Sequence, residues 1–325
     1  MLGLPFSDSG KIAMLLLLLL PGCARAGPVD PGGPVGGSKP QALQWCGMLE
    51  LSDETPDGDA LGGLSALAFD DERRLLYLLS DRGTLHHARL HSASDDDIER
   101  LELLKSYPLL DRDGQRLKDD RADSESMALI EEAGERALLI GFERHHRLQR
   151  FSLEGRALTA PIVPDALEGA AYNGSLEGLT HHPQHGVIAG LEYASHGMDE
   201  RKSRLFDLEE ARFQWRRTSV NSGLTDFAPL GEGLLMLERD FRIGRPLTIT
   251  LSRADFRDDH GERGGNDALE GEVIARLASD EGWRLDNFEG LTRLADGRYL
   301  MVSDDNFSLL QRSLLACFRL PKNDY

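Results

Sequence analysis

A short pattern of apolar and polar residues recurs along this chain. Its clearest copy covers residues 287–307, where an acid precedes Gly-Leu, an apolar run follows, and an Asp-Gly turn leads into a second apolar run that ends in acids. Two such runs joined by a tight turn predict a β-hairpin, whose open ends lie at the same edge. The pattern therefore places Glu289 beside Asp304.

Four further copies of this hairpin precede it. Taking Ser65, Glu125, Glu177, Asp226 and Glu289 as equivalent, successive copies are 60, 52, 49 and 63 residues apart. Two more apolar runs follow each of the first four hairpins, and four-stranded repeats of this length are typical of β-propeller blades. We predict an all-β propeller of four-stranded blades. Five blades are favoured, and six remain the alternative because the longer intervals could contain part of another blade.

The last repeat has only three apolar runs. Residues 43–51 form an unused apolar run near the start of the chain and can supply the missing strand, which would close the ring and remove an exposed sheet edge. This closure brings Cys46 and Cys317 onto neighbouring strands. In an oxidising compartment they are expected to form a disulfide, the alternative being two buried free thiols.

The N-terminus has the features of an export signal. Lys11 precedes an apolar run over residues 12–20, which is too short to span a bilayer and is typical of a signal-peptide core. Cleavage after Ala26 gives a signal peptide over 1–26, whereas a lipoprotein signal would end before Cys23 and leave that residue lipidated. Residues 27–40 are predicted to be a flexible Gly/Pro linker, and 41–325 the propeller domain.

Composition narrows the range of partners. The chain has 325 residues and a formal net charge of −18, so it repels phosphate backbones, and nucleic acid is not expected as a partner. A cation or a small anionic ester substrate fits better. We expect a monomer exported to the periplasm or cell envelope, lipid-anchored or secreted, that contacts a membrane only through an N-terminal lipid.

Carboxylates collect where the first and second strands of each blade meet. Nine of the ten positions are acidic, and Asp305 adds one more; the ten are Ser65, Glu125, Glu177, Asp226 and Glu289 on the first strands and Asp81, Glu143, Glu192, Glu238 and Asp304 on the second. So many neighbouring carboxylates cannot all ionise without compensation. Because Ca²⁺ takes six to eight oxygen ligands, these acids are predicted to bind calcium, the alternative being that they cap backbone amides. The predicted ligands are Glu125, Glu177, Asp226, Glu289, Asp81, Glu192, Glu238, Asp304 and Asp305.

Arginines follow the second acid in three repeats. Arg82, Arg144 and Arg239 could grip a phosphate or carboxylate in bidentate fashion. Together with Glu143, they are the candidate catalytic residues.

Several of these motifs resemble a known family. They are Leu176-Glu177-Gly178-Leu179, Phe288-Glu289-Gly290-Leu291, Ser80-Asp81-Arg82-Gly83 and Ser303-Asp304-Asp305-Asn306. Over about residues 60–320 the sequence resembles the phytase-like domain, named for the esterase-like activity of phytase, of secreted bacterial proteins. The resemblance implies hydrolysis of phosphoesters or esters on a propeller.

Two functions remain open. The first is an exported, metal-dependent hydrolase of phosphoester or carboxyl-ester substrates at an acidic site in the central channel. The second is a non-catalytic binding propeller of the cell envelope that holds a structural cation. Arginines beside acids favour the first. The sequence contains no Gly-x-Ser-x-Gly motif of a serine hydrolase, and this lack of a distinct nucleophile favours the second.

Overall fold

The computed structural model describes residues 27–34, 43–55, 57–92, 97–132, 134–208, 212–256, 268–269 and 271–321. These residues form five sheets, antiparallel except for one short outer strand, whose first strands contact one another in a closed circle. The prediction of a five-bladed propeller is confirmed. The proposed signal segment, Cys23 and residues 35–42 lie outside the described residues.

Each blade begins with the hairpin read from the sequence. Blade 1 contains β3 (Leu64–Asp70), β4 (Leu75–Ser80), β5 (Thr84–Ser92) and β6 (Ile98–Pro108); blade 2 contains β7 (Ser124–Glu132), β8 (Glu135–Phe142) and β9 (Arg147–Phe151). Blade 3 contains β10 (Leu176–His182), β11 (Gly186–Leu191), β12 (Lys202–Asp207), β13 (Arg212–Arg216) and the short parallel β17 (Ala268–Leu269). Blade 4 contains β14 (Ser222–Leu230), β15 (Gly233–Asp240), β16 (Thr248–Ala254) and β18 (Gly271–Ala278).

Helical structure within the described residues is limited to short 3₁₀ turns. They are η1 (Asp119–Arg121), η2 (Asp165–Leu167) and η3 (Ser279–Glu281). No described helix has the length and apolar character needed to cross a membrane. The outer edge of blade 2 differs from a regular fourth strand, because residues 157–162 pair with β9 only through isolated bridges.

Blade 5 joins the two ends of the described chain. It contains β19 (Asn287–Arg293), β20 (Arg298–Asp304), β21 (Leu314–Arg319), β2 (Gln44–Glu50) and β1 (Gly27–Pro28). Cys46 on β2 and Cys317 on β21 are joined by a disulfide across 271 residues of sequence. Both the closure by the early strand and the predicted disulfide are confirmed.

Part of the predicted linker belongs to the fold. Gly27 and Pro28 pair with β2, and the Val29 amide donates a hydrogen bond to the carbonyl of Met48. Further along, Gly33 donates to Gly282. Residues 27–34 are thus docked on blade 5, which differs from the flexible tether predicted over residues 27–40. The physical reason is that the outer edge of β2 offers unpaired backbone groups, and this segment satisfies them.

The glycine of the Glu-Gly-Leu motif has a packing role. A Cβ on Gly178 would lie 2.2 Å from the ring of Phe227, which projects from the next blade. A Cβ on Gly290 would lie 3.0 Å from the Cα of Ala66. Glycine at this position therefore lets the first strands of adjacent blades approach closely.

Candidate functional site

The ends of the hairpins enclose an acidic cavity on the channel axis. Its volume is about 610 Å³, and nine carboxylates and two arginines line it. The acids are Asp81, Asp123, Glu125, Glu143, Glu177, Glu192, Asp286, Glu289 and Asp304, and the arginines are Arg144 and Arg239. Six of the nine predicted metal ligands therefore converge as the repeat pattern predicted.

A β-bulge recurs at the same point of every first strand. The pairing register skips one residue in each blade, and the skipped residues are Ser65, Glu125, Glu177, Thr225 and Glu289. A bulge leaves its extra residue out of the ladder and re-aims side chains. In blades 2, 3 and 5 the bulge residue is a glutamate that lines the cavity.

In blade 4, the residues at the two cavity positions differ by one from those that the sequence alignment predicted. Thr225, not Asp226, occupies its bulge position, and the register of the hairpin places Arg239, not Glu238, at the end of the second strand. Thr225 donates a hydrogen bond to the carbonyl of Phe288, as Ser65 does to the carbonyl of Ser124. The prediction that Asp226 and Glu238 belong to the ring of cavity acids is therefore wrong, because Thr225 and Arg239 occupy those positions.

Both displaced acids satisfy neighbouring polar groups instead. Asp226 is buried and accepts hydrogen bonds from the amides of Leu179, Phe227 and Leu291, which lie on the first strands of blades 3, 4 and 5. Glu238 accepts hydrogen bonds from the Trp215 indole, from the Thr218 amide and hydroxyl, and from Ser222. These two residues therefore have the capping role that was the alternative to metal binding for the acids.

The densest group of acids belongs to blade 2. One oxygen each of Asp123, Glu125 and Glu143 lie within 4.8 Å of one another. Asp123, which lies two residues before the bulge glutamate, is not among the site residues predicted from the sequence. Residues two apart on a strand share a face, and this periodicity was the signal that could have found Asp123 and its counterpart Asn287.

Arg144 lies beside this acidic cluster. Its Nε is 3.1 Å from Asp123 Oδ2, and its Nη1 is 3.3 Å from Asp120 Oδ1. Asp123 is 7% exposed, yet its Oδ2 makes no hydrogen bond within the described part of the chain. Arg144 also has a left-handed backbone conformation, with φ of 49°, which is uncommon for a residue with a side chain and recurs at functional sites.

Arg239 forms the other basic element of the cavity. It bridges two glutamates, with Nη1 2.6 Å from Glu289 Oε1 and Nη2 3.0 Å from Glu192 Oε1, and it also donates to Asn287. Two close glycines make room for the Glu192 carboxylate. A Cβ on Gly223 would lie 2.1 Å from its Oε1, and a Cβ on Gly174 would lie 2.7 Å from its Oε2.

Two predicted site residues point away from the cavity. Arg82 stacks on the Phe307 ring, with its guanidinium carbon 3.4 Å from the ring centroid, and lines a separate pocket of about 190 Å³. Asp305 accepts hydrogen bonds from the amides of Gly63 and Phe307, so it caps this loop. Their sequence neighbours Asp81 and Asn306 do line the central cavity.

Burial and mutual repulsion alter the acidity of the cavity. Burial raises the pKa of Asp81 to about 7 and that of Asp123 to about 6. Burial also raises the pKa of Glu289 to about 8, although Arg239 opposes this shift. The pKa values of Glu125 and Glu177 are raised well above the ordinary value by burial and by neighbouring glutamates. A bound cation would therefore relieve the repulsion between the carboxylates of the cavity.

Comparison with known proteins places this geometry in context. No curated protein matches the sequence. A luciferin-regenerating enzyme is similar in structure, with a TM-score of 0.43 and 8% identity over 90% of this chain and 95% of that one. A gluconolactonase from Xanthomonas campestris has a TM-score of 0.42 and 12% identity over 91% of this chain and 97% of its own. At these scores and identities the two likenesses carry no argument about this chain.

A family described as Phytase-like, esterase-like activity of phytase, matches residues 59–307. The match covers all five hairpins and every residue that lines the central cavity except Gln311. The disulfide and the family together indicate an exported protein. This chain belongs to the phytase-like family.

Proposed function

We propose that the protein is an exported, metal-dependent hydrolase of phosphoester or carboxyl-ester substrates that acts in the central cavity. The observation that carries this proposal is the acidic cluster of Asp123, Glu125 and Glu143, whose oxygens lie within 4.8 Å of one another beside an arginine. Carboxylates held this close need a counter-charge. Blade 2 is thus the proposed cation-binding sector.

The donor set fits a hard divalent cation. Every candidate ligand in the cluster is a carboxylate oxygen, which favours calcium, magnesium or manganese over zinc or copper. In the described chain the buried Asp123 Oδ2 has only its ion pair with Arg144, so it retains lone pairs that a metal could use. We propose calcium, because its flexible coordination suits ligands drawn from separate strands.

The residues around the cluster would divide the remaining roles. A bound divalent cation would supply Lewis-acid polarisation of the ester. Arg144 is 36% exposed in its side chain and would hold the anionic group of the substrate. Arg239 is committed to Glu192 and Glu289, so it would fix the positions of these carboxylates. The Ser175 amide donates a hydrogen bond to the Glu143 carboxylate and holds it in place.

The first test measures metal and turnover together. Calcium binding is measured by calorimetry after chelation, and hydrolysis of phosphoester and carboxyl-ester probes is then screened with calcium and with chelator. We expect calcium to bind and chelation to abolish turnover. Glu125→Gln should lose both, whereas Glu135→Gln, which changes an exposed acid of the same blade, should lose neither.

The second candidate is a binding propeller without catalysis. Among the described residues that line the cavity there is no serine, cysteine or histidine, so a protein nucleophile of these types is lacking. Tight calcium binding without turnover of any ester would favour this candidate. If calcium does not bind and chelator leaves thermal unfolding unchanged, both proposals fail.

A further inference from the structure

Two adjacent loops form one side of the cavity mouth. The loop between β15 and β16 contributes Phe241 and Leu247 to the cavity lining, and the loop between β20 and β21 contributes Asn306 and Gln311. The loops belong to blades 4 and 5, whose first strands are in contact. Their tips therefore lie on the face where the cavity opens.

These tips carry large apolar side chains that no described residue covers. Leu309 is 100% exposed, Ile243 is 96% exposed and Leu310 is 93% exposed, more than any other large hydrophobic residue in the described ranges. Phe241, at 62%, continues the apolar surface towards the cavity. Phe241, Ile243, Leu309 and Leu310 are called the mouth patch here. Exposed apolar patches of this kind mark sites of association with proteins or membranes.

Positive charge accompanies the mouth patch. Arg242 and Arg245 alternate with its apolar residues in the sequence Phe241-Arg-Ile-Gly-Arg245, and neither forms an ion pair within the described part of the chain. This local positive charge contrasts with the net charge of −18. Protruding apolar tips flanked by arginines match the chemistry of an interfacial lipid-binding surface.

The N-terminal segment leaves the fold at the same face. Gly27 pairs with Glu50, and Glu50 pairs with Leu314, which begins β21 directly after the mouth loop. The chain before Gly27 therefore departs beside the mouth. Cys23 precedes Gly27 by four residues, a reach of about 14 Å at full extension. If Cys23 carries a lipid, the docked residues 27–34 leave no room for a long tether between the membrane and this face.

We propose that the mouth patch docks on a lipid bilayer containing anionic headgroups, so that the cavity opens towards the membrane surface. A second copy of the chain is a poorer occupant, because two such faces would oppose arginine to arginine. Convex, fully exposed tips also insert into a fluid interface more readily than they match a protein surface. This proposal does not depend on the chemistry of the cavity.

Vesicle sedimentation tests the proposal with the chain from Gly27 onward, which holds every described strand and the disulfide. Vesicles of a zwitterionic lipid with about 30% anionic lipid are the probe. Leu309→Ser combined with Leu310→Ser should weaken partitioning by about tenfold or more, because two exposed leucines would no longer be buried in the interface. Arg242→Gln with Arg245→Gln should weaken it less and reduce its salt dependence.

A matched control replaces two exposed aliphatic residues elsewhere. Leu158→Ser with Val163→Ser alters the outer edge of blade 2 and should leave partitioning unchanged. Circular dichroism and melting of each variant establish that it is folded. The proposal is overturned if the wild-type chain does not bind vesicles, if the leucine variant binds as well as wild type, or if the patch instead drives concentration-dependent dimerisation in the absence of lipid.

Discussion

Blades 2 and 4 share a hairpin but use its two cavity positions in opposite ways. Blade 2 places Glu125 at the bulge and Glu143 at the end of its second strand, and Asp123 joins them. Blade 4 places Thr225 and Arg239 at the equivalent positions. One sector therefore concentrates negative charge in the cavity, whereas the other supplies a cation to it and uses its hydroxyl to bind the Phe288 carbonyl.

The acids of blade 4 show what decides the role of a carboxylate. Asp226 and Glu238 are as buried as the cavity acids, but backbone amides and hydroxyls satisfy their oxygens. In blade 2, the Oδ2 of Asp123 has only its ion pair with Arg144 in the described chain. A carboxylate whose oxygens are fully hydrogen-bonded stabilises the fold, whereas one that keeps free lone pairs can bind a cation. Burial alone does not separate the two roles.

The largest expected effect is on the blade 4 carboxylate that spans three first strands. Asp226→Ala would leave backbone amides of blades 3, 4 and 5 unpaired in a buried site, so the free energy of unfolding should fall by roughly 3 kcal/mol. Urea unfolding measures this value, with the exposed Asp280→Ala as control. A loss below about 1 kcal/mol would contradict the structural role assigned to Asp226.

The matched change in blade 2 should affect calcium affinity and leave stability intact. Glu125→Gln keeps the shape of the side chain but removes a charge from the acidic cluster, so calcium affinity should fall by at least about 100-fold. In the absence of calcium the variant should be no less stable than wild type, because one source of repulsion is gone. Calorimetry and urea unfolding measure the two quantities. Equal calcium affinity in variant and wild type would remove blade 2 as the cation-binding sector.

The stability of the calcium-free protein should depend on pH in an unusual direction. The folded-state pKa of Asp81 is about 7 and that of Asp123 about 6, both above the ordinary value of 3.8. At pH values between the ordinary pKa and the folded-state pKa, the folded state binds more protons than the unfolded state. The free energy of unfolding therefore falls as pH rises from about 4 to about 7.

Thermal unfolding in chelator should therefore give a higher Tm at pH 5 than at pH 7.5. Saturating calcium at pH 7.5 should raise the Tm again, because the bound cation neutralises the carboxylates that protons neutralise at low pH. A Tm in chelator that rises steadily from pH 5 to pH 7.5 would show that the cavity acids are not repulsive.

The smallest expected effect concerns the glycine of blade 4 that corresponds to Asp123. Gly223→Ala would place a methyl group 2.1 Å from Glu192 Oε1, and the carboxylate would have to turn away from Arg239. Because the displaced atoms end a flexible side chain, we expect a loss of only about 1 kcal/mol in unfolding free energy. Calcium affinity should not change, since blade 2 is untouched. Gly27→Ala, where the added methyl group has open space, is the control.

The propeller could be predicted from the sequence, but the strand register that decides which side chains face the cavity could not. Apolar runs and turn residues repeat along the chain, so the five hairpins, the closing strand and the Cys46–Cys317 disulfide could be predicted. A bulge shifts the facing of side chains by one residue without changing the apolar pattern. For that reason the sequence alignment that makes Asp226 equivalent to Glu125 is one residue out of register, and Thr225 occupies the bulge.

The hydrogen-bond partners of each acid were also beyond a sequence reading. Glu238 and Asp305 are bound by groups in loops whose conformation no local pattern encodes. Arg82 follows Asp81 in the chain, yet it faces the Phe307 ring and a different pocket. Neighbouring residues at a strand end can serve different pockets, and tertiary contacts decide which one.

Blade 5, which combines strands from both ends of the described chain, also constrains when the protein can fold. Blade 5 combines β2, which is made early, with β21, which lies 271 residues further on at the disulfide. The ring cannot close until the last strand has been synthesised and, in an exported protein, has crossed the membrane. Such long-range pairing makes folding slow and leaves earlier blades with open edges in the meantime. The chain is therefore expected to cross the membrane unfolded, and pairing of its final strand with β2 completes the ring.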